Sequence, residues 1–216
     1  MTAADGSPVD AYAALPPEPE LGLVRRHAAG RPSVLDLGAG TGRIADPLAA
    51  YGHEVVAVDE DAAMLSRIRR AIPVQTRIAR LDLGRRFDLV LLLSHLLNVA
   101  DEAERQARLV TVARHLAPGG LALLQRLDPA HPWSEGTGTS GAVCIGLGGL
   151  DRTGWPLVRA VTTYTLEGRT WRQPWVQCVL DDADTTAALA RAGLRVSSVE
   201  GAWVTAVRLD EPVTRP

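Results

Sequence analysis

The chain of 216 residues contains no lysine; all of its basic residues are arginine. That absence excludes imine chemistry on a lysine amine and a phosphate loop completed by lysine. Cysteine is scarce as well: Cys144 and Cys178 lie far apart without CxxC spacing and read as two reduced thiols. No Cys/His/Asp/Glu grouping has metal-ligand spacing, so no metal is expected. Aromatic residues make up 4% of the chain, with a single phenylalanine, so Leu, Val, Ala and Ile must build the core. A net charge of −2 supplies no basic field for nucleic acid or an anionic membrane, and neither is expected as a partner. Long hydrophobic runs are missing too. The longest begins at Leu89 and is broken at Ser94 and His95, far short of a membrane span. The N-terminus lacks a basic segment followed by an apolar stretch, so a cytoplasmic location is expected.

What is present is the texture of a globular α/β protein, 46% hydrophobic and 22% charged. Residues 1–19, with Pro8, Pro16, Pro17 and Pro19, read as an N-terminal arm whose order depends on what it touches. A short helix is expected from Glu20 to Ala29. Strand-like runs at 33–37, 54–59, 74–79, 88–93 and 120–127 then alternate with helical patterns at 41–51, 61–71 and 101–116. Because the strand runs lack polar alternation, they belong in a parallel sheet covered by helices on both faces. Residues 129–154, rich in Pro, Gly, Ser, Thr and Trp, read as a long loop. A hairpin of strands at 157–166 and 170–180, joined at Glu167-Gly168-Arg169, follows it. A helix at 181–192 and strands at 194–199 and 202–209 close the chain. The expected organisation is a single domain over 1–209. It comprises the arm, a half at 20–128 that carries the ligand motif, and a substrate side at 129–209; a tail occupies 210–216.

The most specific stretch is Val34-Leu-Asp-Leu-Gly-Ala-Gly-Thr-Gly-Arg-Ile44, with a second carboxylate, Asp59, closing the next apolar run. Gly38, Gly40 and Gly42 permit a tight strand-to-helix turn and close approach of a ligand to backbone. An acid at the end of the second strand suits a ribose diol, since a carboxylate accepts from two adjacent hydroxyls. Asp36, just below the turn, would repel a phosphate but suits a cation such as an α-amino group. The glycine spacing also departs from the G-x-G-x-x-G of dinucleotide sites. Together these features point to S-adenosylmethionine.

Four segments in order, VLDLGAGTGRI, VVAVDEDAAML, FDLVLLLSHLLN and HLAPGGLALLQ, resemble the class I S-adenosylmethionine-dependent methyltransferases across roughly residues 20–128. The resemblance implies a Rossmann-like, doubly wound, mostly parallel sheet of seven strands whose last strand is antiparallel, with the small antiparallel hairpin added near the substrate side. It assigns Asp36, Gly38, Ala39, Gly40, Thr41 and Gly42 to the amino-acid end of the cofactor. Asp59, with its neighbour Glu60, falls at the ribose, Met64 beside the adenine, and Ser94 at the transfer site. One departure concerns the adenine: Ala79 and Arg80 stand where the family usually places an acid.

Methyl transfer is an in-line displacement in which the protein supplies proximity, alignment and, for a protonated acceptor, a base. His95, after the fourth strand, and His131, after the fifth, are the candidate catalytic residues; His27, His53 and His115 read as surface residues. Trp133, Trp155, Trp171 and Trp175 gather in the second half of the chain and are suited to wall a flat or apolar acceptor. The Asn/Asp-Pro-Pro-Tyr/Phe run of base-methylating enzymes is missing after the fourth strand. The expected activity is therefore methylation of the O or N of a small molecule, by analogy in bacterial specialised metabolism, with S-adenosylhomocysteine as co-product. A homodimer is left open. A repurposed cofactor binder and a nicotinamide-dependent oxidoreductase are the alternatives.

Overall fold

Val34 and Leu35 are both fully buried, yet they belong to different cores. The computed structural model describes residues 2–3, 6–131 and 133–209. Its first half runs α1 (Val9–Ala14), α2 (Glu20–Ala28), β1 (Ser33–Leu37), α3 (Ala45–Ala50), β2 (Glu54–Asp59), α4 (Ala62–Leu65), β3 (Ile72–Gln75), β4 (Phe87–Leu92) and α5 (Glu102–His115). The second half runs β5 (Leu116–Gln125), β6 (Gly136–Ser140), β7 (Val143–Asp151), β8 (Leu157–Leu166), β9 (Arg169–Cys178), α6 (Asp182–Arg191), β10 (Leu194–Glu200) and β11 (Trp203–Arg208).

Seven strands form one sheet in the order β10-β11-β5-β4-β1-β2-β3. β11 runs against both of its neighbours, and the remaining pairs are parallel, as the family resemblance implies. Alternate residues along β1 and β4 feed the two cores. Leu35, Leu37, Val90 and Leu92 pack with α5 and α6 through Leu109, Val112 and Leu189. Val34, Leu89 and Leu91 pack with α2 and α3 through Leu21, Val24 and Leu48. A strand buried on both faces has no polar side to show, which is why these runs read as continuous. Strand order reverses between β1 and β4, so a crevice opens at the carboxyl ends of those strands.

Several boundaries differ from expectation. The helix expected at 41–51 starts only at Ala45, because the glycine turn occupies the preceding residues with positive φ at Gly38, Gly40 and Gly42. The pattern at 61–71 yields just Ala62–Leu65, begun by Asp61, whose carboxylate accepts from the Ala63 and Met64 amides. β3 comes earlier, at 72–75, and the chain then enters a 3-10 turn at Ile78–Arg80. His115 is buried rather than on the surface. Its Nε2 accepts from the Leu83 amide at 3.1 Å, which leaves Nδ1 as the donor to the Thr111 carbonyl at 2.8 Å.

The largest correction concerns 129–154. Instead of one loop it contains β6 and β7, and the expected hairpin is the second half of a four-stranded antiparallel sheet, β6-β7-β8-β9. Val143, Ile145 and Leu147 do alternate, but Gly146 and Gly148 stand where polar residues would have marked the pattern. The N-terminal arm is ordered by this sheet. Ala11, Tyr12 and Leu15 pack against Val143, Tyr164 and Trp171. A hydroxyl–amide chain adds to the contact: Gln173 Nε2 donates to Ser7 Oγ at 2.7 Å and Tyr12 donates to Gln173 Oε1 at 3.2 Å.

Candidate active site

A cavity of about 960 Å³ lies at the carboxyl ends of β1, β2, β4 and β5, between the main sheet, the small sheet and the N-terminal arm. Its floor is the glycine turn, which the end of β2 holds rigid. The Val58 carbonyl accepts from the Gly38 and Ala39 amides at 2.8 and 2.9 Å. Asp59 Oδ2 accepts from the Gly40 amide at 2.9 Å, and Oδ1 from the Asp61 amide at 2.9 Å. A carboxylate offers about four acceptor positions, so it can fix the turn and also accept from a diol. At Gly38 a side chain is disfavoured: a Cβ would overlap Leu96 Cδ1 unless that side chain moved, and φ is +77°.

Of the expected cofactor residues, Gly38, Ala39, Gly40, Thr41, Asp59, Glu60, Met64 and Ser94 line this cavity. Asp36 lies buried beneath it. Gly42 does not face the cavity. A Cβ there would meet Ile68 Cγ1 at 2.9 Å, so this glycine serves close packing under the turn. Ala79 and Arg80 are displaced as well; Arg77 and Ile78 line the wall instead, because the chain turns into its 3-10 segment two residues sooner. Ile78 Cδ1 comes within 3.7 Å of a Cβ built on Gly38, and Leu96 lies on the same side. Apolar side chains therefore flank the turn at Gly38. At the rim Arg77 pairs with Glu60 at 3.3 Å, and on α5 Arg108 pairs with Glu104 at 3.1 Å.

Electrostatics single out two groups. Burial pushes the Asp36 carboxyl up to about 7, with nearby Arg43 opposing the rise and Asp59 adding to it. A carboxylate so poorly solvated gains strongly from a cation placed against it. Arg43 is already engaged, donating to the carbonyls of Pro16 and Pro17 and to Glu20 Oε2. Burial also lowers the His95 imidazole to about 4, with Glu20 acting weakly in the opposite direction. His95 is thus neutral at pH 7. Ser94 and His95 both have left-handed backbone, with φ of 53° and 62°. Such strain costs of order 1 kcal/mol per residue and clusters at functional sites. The Ser94 amide is held by Gln125 Oε1 at 2.8 Å.

The far wall comes from the second half of the chain: Tyr164, Trp175 and Ile145 from the small sheet, with His131 and Trp133 from the segment after β5. His131 is exposed and meets Trp133 edge-on at 5.7 Å between ring centroids; Trp133 lies 6.5 Å from Trp175. Trp155 and Trp171 do not line the cavity, so two of the four expected tryptophans form the wall. Tyr12 and Leu15 from the arm and Gln125 and Asp128 on β5 and just beyond it were not expected from the sequence. Gln125 closes the HLAPGGLALLQ segment, where it reads as the end of a buried strand, and the other three lie outside any motif.

Residues 34–120 match the family model described as "Methyltransferase domain". The cypemycin N-terminal methyltransferase of a Streptomyces species is 32% identical over 212 residues, covering 86% of this chain and 83% of its own length. The chain belongs to the class I S-adenosylmethionine-dependent methyltransferases. Among solved structures, Streptomyces venezuelae DesVI matches with a TM-score of 0.71 at 23% identity, covering 91% of this chain and 92% of that one. CalS10 from Micromonospora echinaspora, an amino pentose methyltransferase solved with S-adenosylmethionine, matches with a TM-score of 0.70 at 22% identity, covering 94% and 92%. At these identities the likeness is one of fold.

Membership sets aside both the oxidoreductase and the binding-only alternatives and makes S-adenosylmethionine the cofactor of this methyltransferase. The residues present fit it. The side-chain-free cradle at Gly38, the amide-anchored Asp59 and a buried Asp36 short of solvation suit backbone approach, a diol and an α-ammonium respectively. Among the described residues no group of His, Cys, Asp and Glu is arranged to hold a metal ion, and no helix is long and apolar enough to cross a membrane.

Proposed function

We propose that this methyltransferase methylates the nitrogen of an amine on a small molecule of bacterial specialised metabolism. The observation that carries the reading is one continuous cavity. The cofactor residues Gly38–Thr41 and Asp59 line it together with His95, His131, Trp133, Tyr164 and Trp175. The nitrogen acceptor is supported by the relative of 32% identity, named for an N-terminal methylation, and by similar folds named as N-methyltransferases of sugars and glycopeptides.

Bound here, the cofactor supplies a methyl on a sulfonium, whose displacement by the acceptor nitrogen returns the bonding pair to sulfur. Asp36 would hold the α-ammonium and Asp59 the ribose hydroxyls, which fixes the direction in which the methyl is presented. Tyr164, Trp133 and Trp175 exclude water from the acceptor side. An amine is protonated near neutral pH and must lose that proton before attack. His131, exposed on the cavity wall, takes it from the ammonium nitrogen and releases it to solvent. His95 serves differently. Neutral at working pH, it accepts a hydrogen bond from the amine N–H and adds no positive charge beside the sulfonium.

The test is co-product formation. Protein incubated with S-adenosylmethionine and matched panels of amines and alcohols should form S-adenosylhomocysteine with amines. Turnover confined to the alcohols would overturn the reading.

A further inference from the structure

The cavity is lined by the carboxylates of Glu20, Asp59, Glu60, Asp61, Glu104 and Asp128. Most have a visible occupation. Glu20 pairs with Arg43 at 3.2 Å, Glu60 with Arg77 at 3.3 Å and Glu104 with Arg108 at 3.1 Å. Asp59 and Asp61 accept backbone amides around the end of β2 and the start of α4.

Asp128 is different. It lies just past β5, beside the second-half wall, and its Oδ1 accepts from the Ala130 amide at 2.9 Å. Among the described residues no arginine or histidine forms an ion pair with it. The cation nearest in sequence, Arg126, is fully committed elsewhere. Its guanidinium donates to the Leu180 and Gly201 carbonyls, to Thr185 Oγ1 and to Asp182 Oδ1. Next to Asp128 in the chain, His131 and Trp133 begin the aromatic series that continues to Trp175. The Trp175 N–H is already donated to Thr162 Oγ1 at 2.9 Å, so toward a ligand this indole offers its ring.

A carboxylate lacking a protein cation, lining one cavity together with indole rings, is the chemistry that recognises an organic ammonium. A neutral hydroxyl compound would leave the half-buried Asp128 without a counter-charge, which favours a cation over it. We propose that Asp128 determines acceptor specificity by receiving the protonated amine, with Trp133 and Trp175 flanking its alkyl groups. This rests on the amine reading above. The methylated product is again a cation, so the same carboxylate receives the acceptor before transfer and the product after it.

The experiment titrates S-adenosylhomocysteine-saturated protein with cyclohexylammonium and, separately, with cyclohexanol, following tryptophan emission. The wild type should favour the cation by about tenfold, the scale of one partly buried charge pair. Asp128→Asn, which keeps the acceptor for Ala130, should abolish the preference, and Asp128→Glu should retain most of it. Unchanged S-adenosylhomocysteine affinity in each variant certifies the fold. If Asp128→Asn keeps the wild-type preference, the assignment of Asp128 falls and the amine reading stands. If the wild type itself shows no preference for the cation, the amine reading falls and Asp128 falls with it.

Discussion

Asn98, fully buried after β4, donates from Nδ2 to the carbonyl of Cys178 at 2.7 Å, joining the main sheet to the last residue of β9. Its Oδ1 accepts from the Leu127 amide at 2.7 Å, so one side chain ties together the ends of β4, β5 and β9. Next to it, Val99 makes an antiparallel bridge with Gln177. The acceptor wall is thereby positioned against the cofactor floor through a side chain that touches neither ligand.

Asn98→Ala should strand a buried carbonyl and a buried amide and lower stability by about 3 kcal/mol in chemical denaturation. Among variants that remain folded, it should raise KM for the acceptor more than it weakens S-adenosylhomocysteine binding, because the glycine turn is anchored separately by Val58 and Asp59.

Asp36 gives two pH-dependent outcomes. Its folded-state pKa of about 7 lies above the ordinary 3.8, so the folded form retains a proton that the unfolded chain has lost. The associated stability is fully present below about pH 4 and is lost as pH rises through about 7. Asp36→Asn should remove this loss and make the ligand-free protein more stable at pH 8 by on the order of 2 kcal/mol, with little change at pH 4. The same variant should bind S-adenosylmethionine at least roughly tenfold more weakly. Wild-type binding at pH 6 should release a proton, measurable by calorimetry in buffers of different ionisation enthalpy.

The two glycines at the turn should respond differently. Gly38→Ala forces a methyl into Leu96 at positive φ and should cost cofactor affinity and stability together. Gly40→Ala meets nothing within 4 Å and is opposed only by a φ of +55°, for a penalty of about 1 kcal/mol. Melting temperatures with and without S-adenosylhomocysteine separate the two.

His95 does not titrate between pH 5 and 8, since burial holds its pKa near 4. His95→Gln should therefore lower kcat without moving the acidic limb of the kcat/KM profile. His131→Gln should lower kcat with an amine acceptor while leaving S-adenosylhomocysteine affinity unchanged. An unchanged kcat in His131→Gln would place the base elsewhere.

Much of this molecule is written in local sequence. The glycine turn, Asp36 and Asp59 are legible because backbone geometry at a strand-to-helix turn restricts residue type position by position. The unbroken apolar runs are legible because a strand buried on both faces tolerates nothing polar. By such means the sequence alone determined the parallel core of the main sheet and the cofactor, while the reaction class came with the resemblance of four ordered segments to a known family. Tertiary structure decided the rest. Glycine-masked β7 became a strand because β8 offered an edge to pair with, β6 then paired with β7, and the proline-rich arm became ordered because that sheet gave it an apolar face. His115 went inside because a carbonyl and an amide brought close by α5 needed partners. Asp128 is an ordinary aspartate in sequence. What distinguishes it is that Arg126, two residues away, is spent on other acceptors, and only the folded arrangement of charges can establish that.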